Sequence, residues 1–179
     1  MRVVLLGPHP VRLPADTGSP DTGSPAAGAP GGVDSVVMAL ARGLARCAGV
    51  RPTVITAQPG LREPVRLRED AYELVAVPRP RGGRLTGQRQ VTGRLVREAR
   101  RLAPDIVHGH SAGIYGRAAL DSGLPSVITL HGILWREMQQ AWPASGWAGR
   151  ARWLVDGLAE RRIVEAAENI IAISPYVYR

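Results

Sequence analysis

What most restricts the fold of this chain is the alternation of short apolar runs with longer segments of helical spacing. Residues 3–6 are apolar at every position, the pattern of a strand buried on both faces of a parallel sheet. Val33, Val36, Val37, Leu40, Ala41, Leu44 and Ala45 then recur at the three- and four-residue steps of an amphipathic helix. Strands follow at 54–56 and 73–77, separated by a polar, arginine-rich connection. A helix over 85–103 turns Val91, Leu95, Ala99 and Leu102 inward and ends at Pro104, which cannot continue it. The alternation goes on with a strand at 106–107, a short helix over 114–121 and a strand over 125–130. A long helix over 151–167 is expected to bury Leu154, Leu158 and Ile163, before a final buried strand over 169–173. Ser174-Pro175 then reads as a helix cap with proline in the first turn. Strands alternating with helices throughout predict an α/β fold, a doubly wound, mainly parallel sheet with right-handed crossovers.

A chain of 179 residues that is 45% hydrophobic suits one domain with a sizeable core and is too short for two ordinary ones. Residues 10–30 are the exception to the core-forming pattern. They are rich in Pro, Gly, Ala, Ser and Asp, and the block Asp16-Thr17-Gly18-Ser19-Pro20 repeats as Asp21-Thr22-Gly23-Ser24-Pro25. Such a segment buries too little apolar surface to offset its ordering entropy, so a mobile loop is expected there.

All 23 basic side chains are arginine, and the formal charge is +8. That balance favours anionic partners such as nucleotide diphosphates, anionic lipid surfaces or nucleic acid, while a solvated arginine surface is the plain alternative. Cys47 is the only cysteine. It excludes an internal disulfide and a cysteine-based zinc site, fits a reducing, cytoplasmic setting, and lies where helix packing is expected. The apolar stretch at the N-terminus stops at Pro8, too short for a signal peptide, and no stretch approaches a membrane span.

The residues able to do chemistry gather where strands are expected to run out, which is where open parallel sheets bind ligands. His108 and His110 stand two apart in Asp105-Ile106-Val107-His108-Gly109-His110, so they share a face of the strand. His131 ends Thr129-Leu130-His131-Gly132. No carboxylates stand at ligand spacing, and no metal is expected. His108 fits a partly buried, hydrogen-bonded histidine. His110, nearer the strand end and followed by Ser111 and Gly113 at a helix start, is the stronger functional candidate. Gly31-Gly32 opens the Val33 helix, where free amides and the helix dipole suit an anion. Glycine pairs also simply end loops, and no dinucleotide fingerprint or Walker A lysine accompanies this one. Gly-x-Ser-x-Gly and metalloprotease patterns are absent, so nothing indicates nucleophilic catalysis.

Taken in order, Arg2-Val3-Val4-Leu5-Leu6-Gly7, Gly31-Gly32-Val33, the His108-Gly109-His110 strand end and Thr129-Leu130-His131-Gly132 resemble the N-terminal half of a family 4 glycosyltransferase of the GT-B type. Leu158-Ala159-Glu160-Arg161-Arg162 and Ile170-Ile171-Ala172-Ile173-Ser174 are similar to the last helix and strand of that half. The resemblance implies one Rossmann-like, acceptor-side domain over 1–179, with a donor-binding domain expected beyond it. It implies a retaining enzyme, without a metal or other cofactor, that moves a sugar from a nucleotide-diphosphate donor to an acceptor. In that family a histidine matching His110 sits beside the donor sugar and reacting centre. Glycines matching Gly31 and Gly32 touch the donor diphosphate, although here the stretch before them is longer. His131, Gly132 and Arg136 fall on the acceptor side of the cleft, with Arg117 also near a strand end. Catalysis would rest on positioning and on stabilising the leaving diphosphate. The fragment alone is expected not to catalyse transfer.

Other readings remain at this point. A stand-alone α/β module could bind an anion or nucleotide at Gly31-Gly32 without catalysis. A dehydrogenase-like domain fits less well, since Arg51-Pro52 occupies the region where an acidic strand end would be needed. Trp135, Trp142, Trp147 and Trp153 with Arg136, Arg150 and Arg152 form an aromatic, basic region. It suits either peripheral contact with an anionic membrane at the inner face or a packed flap beside the cleft. No role in nucleic-acid binding is expected.

Overall fold

The computed structural model describes residues 1–11, 32–80, 84–133 and 146–175. Gly31, Trp135, Arg136, Trp142 and almost all of the 10–30 loop lie outside those residues. The described chain runs β1 (Arg2–Leu6), α1 (Val33–Ala45), β2 (Arg51–Pro59), β3 (Val65–Arg68), β4 (Glu73–Arg79), α2 (Arg84–Leu102), β5 (Ile106–His110), α3 (Ile114–Asp121), β6 (Ser126–Leu130), α4 (Trp147–Ala166) and β7 (Ile170–Ala172).

The strands form a seven-stranded sheet in the order β3-β4-β2-β1-β5-β6-β7, parallel except for the β3–β4 pair. β1 is central: Leu5 stands opposite Val54 of β2 on one side and His108 of β5 on the other. Its alternate residues serve opposite faces, as the two-residue period of a strand requires. Val3 and Leu5 pack with Val37 and Ala41 of α1. Val4 and Leu6 face Val91, Leu95 and Ala99 of α2 and Ala118 and Ala119 of α3. α4 joins the α3 side, where Ile163 meets Ile128 and Leu130. The expected α/β architecture, with helices on both faces of a mainly parallel sheet, is present.

The structure corrects several details. The arginine-rich connection after β2 contains the antiparallel edge strand β3, whose alternating burial shows one face turned toward the core, with Leu67, and the other more open. Arg66 of β3 bridges Glu73 of β4 at 3.0 Å and Glu98 of α2 at 3.2 Å. These pairs give Arg66, a residue that reads as loop, a place in a strand. β2 is longer than expected, and α4 starts at Trp147. Leu154 and Leu158 of α4 are exposed, leaving Ile163 as its buried anchor, because a helix at the end of the sheet has neighbours on one flank. β7 is an exposed edge strand, with Ile170, Ile171 and Ile173 open. Cys47 lies beyond α1 and is exposed, its thiol donating to the Gly43 carbonyl.

Candidate active site

β5 and β6 run parallel with His110 opposite Thr129, so both strands end at the same edge of the sheet. Leu5, on the α1 side of β1, pairs with His108, which puts His108 and His110 on that face as well. Gly7 makes room for them. A β-carbon there would stand 2.6 Å from Val37 Cγ2 and 3.4 Å from His110 Cβ. On the opposite face, Gly109 allows α3 to lie against β5, since a side chain would meet Gly116 Cα at 3.0 Å. The turn from β5 into α3 is tight, and Ser111 takes φ 75° within it. A non-glycine residue in the left-handed region stores strain of the kind that collects at functional sites.

Three histidine rings form a row at this edge, His108 stacked on His110 and His110 edge to edge with His131. His108 and His110 lie 4.3 Å apart between centroids with planes 24° from parallel, and His110 and His131 lie 5.4 Å apart at 25°. Nε2 of His108 is hydrogen-bonded to the Thr129 hydroxyl at 2.6 Å, which meets the expectation of a bonded, buried histidine. Nδ1 of His110 is 3.1 Å from Nε2 of His131. His110 is fully buried, and its Nε2 has no hydrogen-bond partner among the described residues. Among the described residues no group of three or more His, Cys, Asp or Glu side chains is arranged to hold a metal.

Burial disfavours the charged imidazolium at all three positions. Desolvation, with repulsion from neighbouring histidines, brings His110 to about 3. Burial, helped by His131, brings His108 to about 4, and burial also lowers His131. The row is therefore neutral near physiological pH and acts through hydrogen bonds, not charge.

Beside the row lies an open cleft of about 1110 Å³. His131 and Gly132 line it from the end of β6, Ser111 and Gly113 from the start of α3, and Val33 from the first turn of α1. Gly32 caps α1 with φ 61° and offers no side-chain cap. The structure thus brings His110, His131, Gly132 and the Gly32 helix start to one edge, while Gly31 and Arg136 lie outside the described residues. Arg117 lines the cleft but is paired with Asp121 at 2.8 Å. Sequence reasoning missed the walls supplied by Gln88, Arg89 and Thr92 of α2 and by Asp156, Glu160 and Arg162 of α4. The signal available was topological: in a parallel crossover each helix begins at the edge where the preceding strand ends, so the first turns of α2 belong there.

No curated protein matches the chain in sequence. Among solved structures it is similar to a sucrose-phosphate synthase from Thermosynechococcus elongatus, at 11% identity and a TM-score of 0.54, covering 98% of this chain and 77% of that one. At that identity the likeness is one of fold. The family model for Glycosyltransferase Family 4 matches residues 30–179, a span that takes in α1, both histidine strand ends and the cleft between them. Matched over most of its length, the chain belongs to Glycosyltransferase Family 4.

Proposed function

We propose that this domain is the acceptor-side half of a retaining glycosyltransferase that moves a sugar from a nucleotide-diphosphate donor to an acceptor hydroxyl. The observation that carries the reading is His110: buried, neutral, and holding one ring nitrogen without a partner among the described residues, directly before cleft-lining Ser111. A buried polar atom left unpaired costs about 1–3 kcal/mol, a cost that a bound ligand's oxygen would offset. In this reading His110 touches the donor sugar, and the α1 start at Gly31 and Gly32 receives the diphosphate. His131, Gly132 and Arg136 face the acceptor. A second domain supplies the nucleotide pocket, and no metal or other cofactor takes part. The enzyme acts in the cytoplasm, with peripheral contact at the inner face of the membrane where its acceptor is a lipid. No helix among the described residues is long and apolar enough to cross a membrane.

The test is sugar-nucleotide turnover by the protein together with its donor domain. His110→Ala should lower kcat/KM by about 10- to 100-fold, the value of one buried hydrogen bond to a polar ligand, while this chain alone turns over no donor. Unchanged turnover in the variant would remove His110 from the site. The start of α1 at Gly32, which carries no side-chain cap, favours a second reading, an anion-binding module without catalysis. That reading requires the isolated chain to bind a nucleoside diphosphate tightly.

A further inference from the structure

We propose that His131 is a positioning residue whose Nε2–H donates to Nδ1 of His110, fixing His110 in its Nε2–H form and leaving Nδ1 of His131 as a bare acceptor at the cleft. The inference deepens the glycosyltransferase reading, and its consequence for transfer rests on that reading.

The geometry restricts the pair to two arrangements. A neutral imidazole carries one proton, on Nδ1 or Nε2, and which nitrogen holds it is set by the bond the other makes. With Nδ1 of His110 3.1 Å from Nε2 of His131, one nitrogen must donate and the other accept. If His131 donates, both rings carry their protons on Nε2. If His110 donates, both carry them on Nδ1. The Nε2–H form is the intrinsically preferred tautomer of neutral histidine in water, so the first arrangement gives both residues the preferred form at once. Burial keeps both rings uncharged, so no third arrangement with an imidazolium competes near neutral pH.

Turning the His110 ring over would put a carbon where Nδ1 stands and lose the 3.1 Å bond to His131, and the plane of the ring is held by its neighbour. The His108 ring stacks on it at 4.3 Å and is itself held by Thr129. Gly7 lies against the His110 β-carbon, so close that a side chain there would come within 3.4 Å of it. The proton's position is the remaining freedom, and His131 decides it. The consequence is a polarity: His110 offers a buried donor at Nε2, the atom that lacks a partner among the described residues. His131, at the cleft wall, offers a lone pair at Nδ1 suited to a hydroxyl. An oxygen that only accepts is matched to His110, and an alcohol that must be oriented for attack is matched to His131.

The experiment is long-range ¹H–¹⁵N correlation on protein labelled with ¹⁵N-histidine near neutral pH, which reads the protonated nitrogen of each ring directly. Wild type should show Nε2–H and bare Nδ1 for both His110 and His131. His131→Gln, whose side-chain amide can donate from nearly the same place, should preserve the His110 signature, and His131→Ala should convert it to a mixture of tautomers. Nδ1–H at His110 in wild type, or an unaltered His110 signature in His131→Ala, would overturn the proposal. Turnover by the protein with its donor domain separates the two claims. His131→Ala should lose about tenfold in kcat, the worth of one neutral hydrogen bond, and His131→Gln should recover part of it. If the tautomers behave as stated and turnover does not change, the coupling stands and its part in glycosyl transfer falls.

Discussion

Gly116 of α3 passes so close to Ser111 that a β-carbon on the glycine would stand 2.5 Å from the serine carbonyl oxygen. The same carbonyl accepts the Gly116 amide at 3.1 Å. The contact holds the strained turn directly after His110, so the packing of α3 and the geometry of the site are one problem. Gly116→Ala gains up to about 1 kcal/mol of helix propensity. It also forces backbone against backbone, which cannot rotate away, at a cost of about 1–3 kcal/mol. The variant should unfold at lower urea than wild type. An equal or higher midpoint would mean that α3 can shift without cost.

His9, just beyond β1, is hydrogen-bonded through Nδ1 to the Pro10 carbonyl and through Nε2 to the Tyr72 hydroxyl, each at 2.7 Å. A carbonyl only accepts, so Nδ1 carries the proton and Tyr72 donates to Nε2. Both side chains are buried. Tyr72→Phe leaves that nitrogen unsatisfied and should cost about 1–3 kcal/mol. Chemical denaturation gives the number, and a change under about 0.5 kcal/mol would show that water replaces the hydroxyl.

The histidine stack makes stability depend on pH. Burial holds His110 at about 3 and His108 at about 4, against 6.5 in the unfolded chain. Unfolding therefore takes up protons between those values. The contribution of the pair is complete above pH 6.5 and is lost as pH falls through that range. Between about pH 7.5 and about pH 5 the protein should lose stability on the order of a few kcal/mol, and His110→Gln should flatten the slope. A wild-type stability constant over that interval would mean that the rings accept protons in the folded state.

Leu95 and Leu158 separate core from surface. Leu95 is fully buried between α2 and the sheet, and Leu158 is 56% exposed. Leu95→Ala should cost about 2–5 kcal/mol through lost burial and the cavity left behind, and Leu158→Ala should stay within about 0.5 kcal/mol. Thermal or urea unfolding of both variants checks the contrast, and a large loss at Leu158 would show that α4 packs more deeply than its exposure indicates.

The interior of the sheet was legible because a strand covered on both faces has to be apolar at every position, as in residues 3–6 and 74–77. α1 and α2 were legible because one buried stripe imposes helical spacing on Val37 and Ala41 and on Val91, Leu95 and Ala99. The sequence by itself therefore determined the α/β class, the strand ends at His110 and His131 and their resemblance to the family. Edges were not legible, since pattern reports burial, and β3, β7 and the outer flank of α4 have neighbours on one side only. Arg66 in β3 reads as loop until Glu73 and Glu98 are beside it. Tertiary structure alone decided the site's working geometry. His110 and His131 are far apart in the chain and meet at 3.1 Å only because β5 and β6 pair with His110 opposite Thr129. That register is set by the packing of the whole sheet, which no local pattern of residues encodes.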